Sequence, residues 1–242
     1  MSAYRLGVDI GGTFTDIILL GDDGAIYSRK ILSTPDDYSR AIQEGTAALL
    51  QETGISASKI REIGHGTTVA TNALLERKGD RTVLVTTKGF GDALRIGYQN
   101  RPRLFDMNIK LPELVYEKVI EADERVAADG AVLTPLDEDA LRANMQAVYD
   151  DGIRSVAIAF MHGYRHTKHE TEAAKIAAEI GFTQISVSHT VSPLIKLISR
   201  GDTTVVDAYL SPILRRYVDR VATDLEAGGS DGPRLMFMQS NG

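Results

Sequence analysis

Cysteine is absent from the 242 residues. That excludes disulfides, thiolate zinc sites, a cysteine nucleophile and a cysteine-held iron–sulfur cluster. No apolar run reaches the roughly 18 residues of a membrane-crossing helix, so no membrane partner is expected. Positive charge is in deficit: 27 Lys and Arg stand against 33 Asp and Glu, for a formal net charge of −6. A broad nucleic-acid surface needs the opposite balance and is not expected. The opening residues, Met-Ser-Ala-Tyr-Arg-Leu-Gly-Val-Asp, enter strand-like sequence without the basic, apolar and small-residue segments of an export signal. A cytoplasmic enzyme or enzyme part is the expectation. Internal repeats and low-complexity stretches are also missing. What is present is globular: 43 % apolar and 25 % charged residues, in a chain long enough to bury roughly 70 % of its unfolded surface.

Residues 4–9, 15–20 and 25–32 are three short strand-like runs, the last two joined by Gly21-Asp22-Asp23-Gly24. Connections this short force antiparallel pairing, because a parallel crossover needs a dozen or more residues. Thr34-Pro35-Asp36-Asp37 reads as a helix start, with Ile42, Leu49 and Leu50 on one face and Gly54 closing the helix. Strands and helices then alternate. Strands are expected around 62–64, 81–86, 155–161 and 184–188, and helices over 69–77 and 137–149. Thr167-Lys168-His169-Glu170 fits a capping box for a further helix ending at Gly181. Residues 97–136 hold Pro102, Pro112 and Pro135 and no clean period, so a loop-rich insert with short strands is expected there. A long helix over 202–225, interrupted at Pro212, leads through a Gly-rich linker to a strand at 234–238. That strand is expected to belong to a second domain, cut short at residue 242. The division is then 1–190 and 191–242.

The strongest chemical signal is Asp9-Ile10-Gly11-Gly12-Thr13-Phe14-Thr15-Asp16. A strand delivers a carboxylate, two glycines turn the chain, and two hydroxyls follow on the return strand. Without Cβ atoms, the backbone can approach a phosphate closely, and successive N–H groups in such a turn make an anion-binding concavity. Thr13 and Thr15 can add hydroxyl donors. Asp9 repels phosphate but can hold a hydrated Mg²⁺ that bridges phosphates. The plainer alternative is a glycine hairpin with Asp9 as a capping acid. A P-loop is excluded, since neither Gly-Lys-Ser/Thr nor a following helix is present.

This phosphate hairpin resembles that of the actin-like ATPase superfamily, and the form DIGGTFTD resembles the hydantoinase/oxoprolinase family, A-type subunit. The resemblance continues through GHGTTVATNALLERK at 64–78, LVTTKGFG at 84–91, RIGYQNRP at 95–102, DTTVVDAY at 202–209 and MQSNG at 238–242. It implies an α/β, ribonuclease-H-like mixed-sheet lobe and a truncated start of a second lobe. It also implies ATP-dependent chemistry on small cyclic amides or ketones, in which a substrate oxygen is phosphorylated. Phosphate on an amide oxygen turns that oxygen into a leaving group, with positioning and charge stabilisation doing most of the work. A B-type partner, separate or fused, is implied as well. The nucleotide set is Asp9, Gly11, Gly12, Thr13, Phe14 and Thr15, with Mg²⁺ at Asp9 through water. The second phosphate loop and adenine pocket are expected outside this chain. Rival readings are a sugar-type kinase sharing only the hairpin, and a nucleotide switch of the Hsp70 or actin kind.

His65, between a strand and a helix, is the candidate catalytic donor to a phosphate or substrate oxygen, alongside Asp9. Thr67, Thr68 and Asn72 are candidate substrate residues, with Thr71 beside Asn72 on the first turn of the helix; Thr67 and Thr68 are equally good N-caps. Arg95, Arg101 and Arg103, with Tyr98, either bind a substrate carboxylate or form a solvated basic loop. His162, His166 and His169 have metal-like spacing, but the sequence between them breaks any helix and no metal is expected. Arg200, Arg215, Arg216 and Arg220 are expected to line one exposed helix face.

Overall fold

The opening strands do pair antiparallel. In the computed structural model, which describes residues 3–34, 38–99, 105, 107–108, 111, 113–224 and 232–238, β1 (Tyr4–Ile10), β2 (Phe14–Gly21) and β3 (Ile26–Leu32) form a meander. The proposed helix start at Pro35–Asp37 falls outside the described residues. α1 (Tyr38–Thr53) follows, and Gly54 ends it in the left-handed region with φ of 68°. α1 packs on β2 so closely that a Cβ at Gly45 would lie 2.2 Å from Ile17 Cδ1. β4 (Ile60–Thr67) then pairs parallel to β1, and α2 (Val69–Leu75) starts immediately after it.

The chain divides into two compact units, Met1–Glu76 with Ile213–Gly242, and Arg77–Pro212. The second unit contains β5 (Thr82–Thr87), α3 (Ala93–Ile96), β6 (Lys118–Ala122), β7 (Arg125–Val126), β8 (Val132–Thr134), α4 (Glu138–Asp150), β9 (Ser155–Ala159), α5 (Lys168–Ile180), β10 (Gln184–Val187) and α6 (Ser188–Val191). Its sheet is fully parallel in the order β10-β9-β5-β6, and β7 and β8 form a separate hairpin. β5 is buried at all six positions, which explains its unbroken apolar and β-branched sequence. Val83, Val85, Val156 and Ile158 pack with Leu141 and Met145 of α4 and Ile176 of α5. On the other face, Leu84, Ala157 and Ala159 pack with Tyr116, Val205 and Ala208.

α7 (Leu197–Asp224) carries the chain out of this unit and keeps Pro212 inside it, where a break was expected. β11 (Arg234–Phe237) then pairs parallel with β4, setting Leu235 against Ile63 and Phe237 against His65. β11 therefore joins the first sheet, in the order β11-β4-β1-β2-β3. The physical reason is the alternation in β11: Leu235 and Phe237 join the first unit's core with Leu6, Val8, Ile42, Tyr217 and Val221. The expected insert is partly absorbed, because β6 is a full member of the second sheet. The mixed-sheet lobe of the actin-like class is the fold observed.

Two further expectations need correction. Thr167 makes no side-chain cap at α5, and Glu170 does not turn back to it. Glu170 is fully buried and accepts from Phe160 N at 2.9 Å, Ser188 Oγ at 2.5 Å, and His189 N and Nδ1 at 3.1 and 2.7 Å. Arg200 is fully buried too, not on an exposed face. It donates to Ser188 Oγ at 2.9 Å, to Leu194 O at 2.7 Å, to Met161 O at 3.1 Å and to Phe160 O. Arg215, Arg216 and Arg220, further along α7, are exposed as expected.

Candidate functional site

β1 and β4 run parallel and end at the same place, the usual location of ligand sites in layered α/β sheets. Alternation along β1 buries Val8 and Ile10 and leaves Asp9 exposed. Asp9 stands in register with Asp16 on one side and Gly66 on the other. Asp16 is neutralised by Lys30 at 2.7 Å; among the described residues Asp9 has no such partner. A Cβ at Gly66 would lie 3.1 Å from Asp9 Oδ1, so the glycine is what makes room for this carboxylate.

The turn beyond Asp9 closes with Gly11 N donating to Phe14 O at 3.0 Å. Neither Gly11 nor Gly12 needs a positive φ; their value is space. A Cβ at Gly11 would meet Phe14 O at 3.2 Å, and one at Gly12 would meet Asn72 Nδ2 at 3.4 Å. Ser33, at the end of β3, staples the turn: its N donates to Thr13 O at 2.9 Å, and its Oγ donates to Gly11 O at 2.8 Å. The exposed Gly12 and Thr13 N–H groups find no acceptor among the described residues. These are the donors an anion would take.

Thr15 is different from its sequence reading. It is fully buried, with Oγ1 2.9 Å from Ser33 Oγ, so it braces the turn from below and is not presented to a ligand. Phe14 is 46 % exposed, with Lys30 Nζ 5.2 Å from its ring centroid.

His65 shares the buried face with Val8, its register partner. Its side chain is 1 % exposed, and Nε2 meets the Tyr217 hydroxyl while Phe237 stands edge-on at 5.1 Å. Burial pulls its pKa down to about 4, so the ring is neutral near pH 7. It lies on the opposite face of the sheet from Asp9 and does not reach a ligand there. Thr67 Oγ1, one residue before the N-cap of α2, accepts from Val69 N at 3.1 Å, and the N-cap residue Thr68 makes no side-chain cap but donates from Oγ1 to Ile10 O at 3.2 Å. Asn72 Nδ2 is 3.4 Å from Thr68 Oγ1, which sets it beside Gly12. Thr71 is exposed.

Asp9, Gly12, Thr13, Gly66 and Asn72 therefore come together, with Ser33 as a support that sequence reading missed. Its only sequence signal was a hydroxyl at the end of a strand, which is common. Arg95 belongs to the second unit, and Arg101 and Arg103 lie outside the described residues. His162 Nδ1 and His166 Nε2 engage the Val126 and Ala128 carbonyls, and His169 Nδ1 pairs with Glu124 at 2.8 Å.

Residues 5–181 match the family model for the hydantoinase/oxoprolinase N-terminal region, and residues 200–242 match the hydantoinase/oxoprolinase model. The chain belongs to the hydantoinase/oxoprolinase family. A 5-oxoprolinase of Dictyostelium discoideum is 38 % identical, matching 99 % of this chain and 22 % of its own length. A caprolactamase subunit alpha of Pseudomonas jessenii is 35 % identical over 99 % of this chain and 36 % of its own. The crystal structure of an ATP-dependent caprolactamase from the same organism superposes with a TM-score of 0.86 at 34 % identity, covering 98 % of this chain and 36 % of that one. A nucleotide-free acetone carboxylase superposes at 0.82 with 20 % identity, over 98 % of this chain and 36 % of its own, which speaks to the fold alone. This family member thus spans about a fifth to a third of the length of these relatives.

Proposed function

We propose that the chain is the phosphate-binding N-terminal part of an ATP-dependent enzyme that phosphorylates the carbonyl oxygen of a small cyclic amide before ring opening. A ketone activated for carboxylation is the related substrate. The observation that carries this reading is the pair of open Gly12 and Thr13 N–H groups next to an unpaired Asp9. The hairpin fits ATP: the amides offer donors for phosphate oxygens, and no side chain at Gly11 or Gly12 blocks their approach. Asp9 fits a hydrated Mg²⁺, held through water. Bound ATP supplies the phosphoryl group that makes the amide oxygen a leaving group. Ser33 and Thr15 hold the turn in shape, Gly66 leaves Asp9 its room, and Asn72 stands at the Gly12 side. His65 is a positioning residue, bracing β4 from beneath through Tyr217.

Among the described residues no helix is long and apolar enough to cross a membrane. A cytoplasmic location and a B-type partner subunit or fused domain complete the proposal. The partner is supported by the name of the caprolactamase relative, which is one subunit of an enzyme. The test is phosphate release from Mg-ATP by the complete polypeptide with its partner, offered 5-oxoproline, hydantoin, caprolactam or acetone against a panel of sugars. Release stimulated by an amide or ketone supports the reading. Stimulation by sugars alone overturns it.

A further inference from the structure

A cavity of about 260 Å³ lies between the segment ahead of β5, the segment ahead of β6 and Tyr209 of α7. Every residue lining it belongs to the second unit. It is smaller than the pockets of drug-sized ligands, roughly 300–1,000 Å³, which suits a molecule of amino-acid size.

The segment ahead of β5 is shaped around this space. Arg77 lines it and adopts the left-handed region, with φ of 57°. A long side chain takes that conformation only under constraint, and such strain points to a role for the residue held in it. Gly79 packs so closely that a Cβ there would lie 2.0 Å from Tyr209 Cε1, and Asp80 N donates to Tyr209 O at 3.0 Å. Tyr209 is 7 % exposed and lines the cavity. Its hydroxyl is not sealed from solvent, and it finds no hydrogen-bond partner among the described residues. A polar group this deep without a partner is a donor waiting for one.

The charges on the walls are of two kinds. Arg81 is already neutralised, by Glu117 at 2.8 Å and Asp151 at 3.2 Å. Arg77 and Glu113 make no ion pair among the described residues. Arg77 Nη2 instead donates to the main-chain oxygen of Glu113 at 3.3 Å, which holds the guanidinium beside residue 113. Leu114 and Val115 follow as apolar lining.

We propose that this cavity binds a zwitterionic α-amino acid with an apolar side chain. Its carboxylate accepts from Arg77 and Tyr209, its ammonium donates to Glu113, and its side chain lies on Leu114 and Val115. A plain anion such as phosphate would meet the carboxylates of Glu113 and Glu117, and a plain amine would meet Arg77. The contact between Arg77 and residue 113 sets the two opposite charges close together, as an α-amino acid carries them. The site is independent of the phosphate hairpin and of the proposed reaction.

The test uses the 242-residue chain with ¹³C-labelled tyrosine rings, the Tyr209 signal being assigned with Tyr209→Phe. L-leucine is compared with 4-methylpentanoate, which lacks the ammonium, and with 3-methylbutylamine, which lacks the carboxylate. Leucine should shift the Tyr209 signal saturably. Each truncated probe should bind at least about tenfold more weakly, as for a lost hydrogen bond to a charged group. Glu113→Gln changes an exposed side chain and keeps the fold; it should erase the preference for leucine over 4-methylpentanoate. Arg77→Gly removes the guanidinium but suits a φ of 57°. It should weaken leucine binding about tenfold or more while melting no lower than wild type. An unmoved Tyr209 signal, unchanged leucine affinity in Arg77→Gly, or equal affinity for leucine and 4-methylpentanoate overturns the site.

Discussion

Gly66 and Asp9 show how one missing side chain sets up a site. With only 3.1 Å between Asp9 Oδ1 and a Cβ at position 66, Gly66→Ala must push the carboxylate aside or part the strands. The expected outcome in the complete polypeptide is a fall of about tenfold or more in ATP turnover, equivalent to roughly 1.4 kcal/mol, with a melting temperature close to wild type. Turnover at the wild-type rate would show that Asp9 needs no such room. His65 gives a pH prediction. Its pKa falls from 6.5 in the unfolded chain to about 4 in the fold. Between those values the unfolded state binds more protons, so stability falls as pH falls. The contribution is intact above pH 6.5 and about 3 kcal/mol smaller by pH 4. Urea unfolding at several pH values should show this loss in the wild type and not in His65→Gln. The Asp9 motif was legible because its pattern is local. The burial of His65 was not, because it depends on strand register and on Tyr217, 152 residues further along.

The element scale holds the polar core of the second unit. α5, α6 and α7 meet around Glu170 and Arg200, which share Ser188 Oγ as a partner at 2.5 and 2.9 Å. Breaking a buried charged network leaves the remaining charge without compensation. Arg200→Met should therefore cost about 3–5 kcal/mol, whereas Arg220→Met, on the exposed stretch of α7, should stay within about 1 kcal/mol. Equal urea midpoints for the two variants would contradict the arrangement. The sequence showed these residues without their roles. Thr167 and Glu170 have capping-box spacing, yet the same offset turns Glu170 inward, and nothing local distinguishes the two outcomes. Helix periodicity in α4 and the apolar runs of β5 and β9 were legible, since burial on one face or on both leaves its own pattern. Pro212 reads as a break, but a proline removes one helical bond, and α7 continues past it.

At the scale of the molecule, chain order and spatial order part company. Residues 77–212 interrupt a five-stranded sheet whose last member, β11, returns to β4. A linear reading does not foresee that pairing, because contact between distant segments has no sequence period. The family resemblance does reach nearly the whole chain, and the hairpin it singles out keeps the Gly12 and Thr13 N–H groups without an acceptor among the described residues. The most direct test of the account measures phosphate release from Mg-ATP by the complete polypeptide in the presence of the stimulating amide, comparing wild type with Asp9→Asn. The expected result is a loss of at least about 100-fold, or roughly 2.7 kcal/mol, with the melting curve unchanged. A folded Asp9→Asn protein releasing phosphate at the wild-type rate would contradict the account.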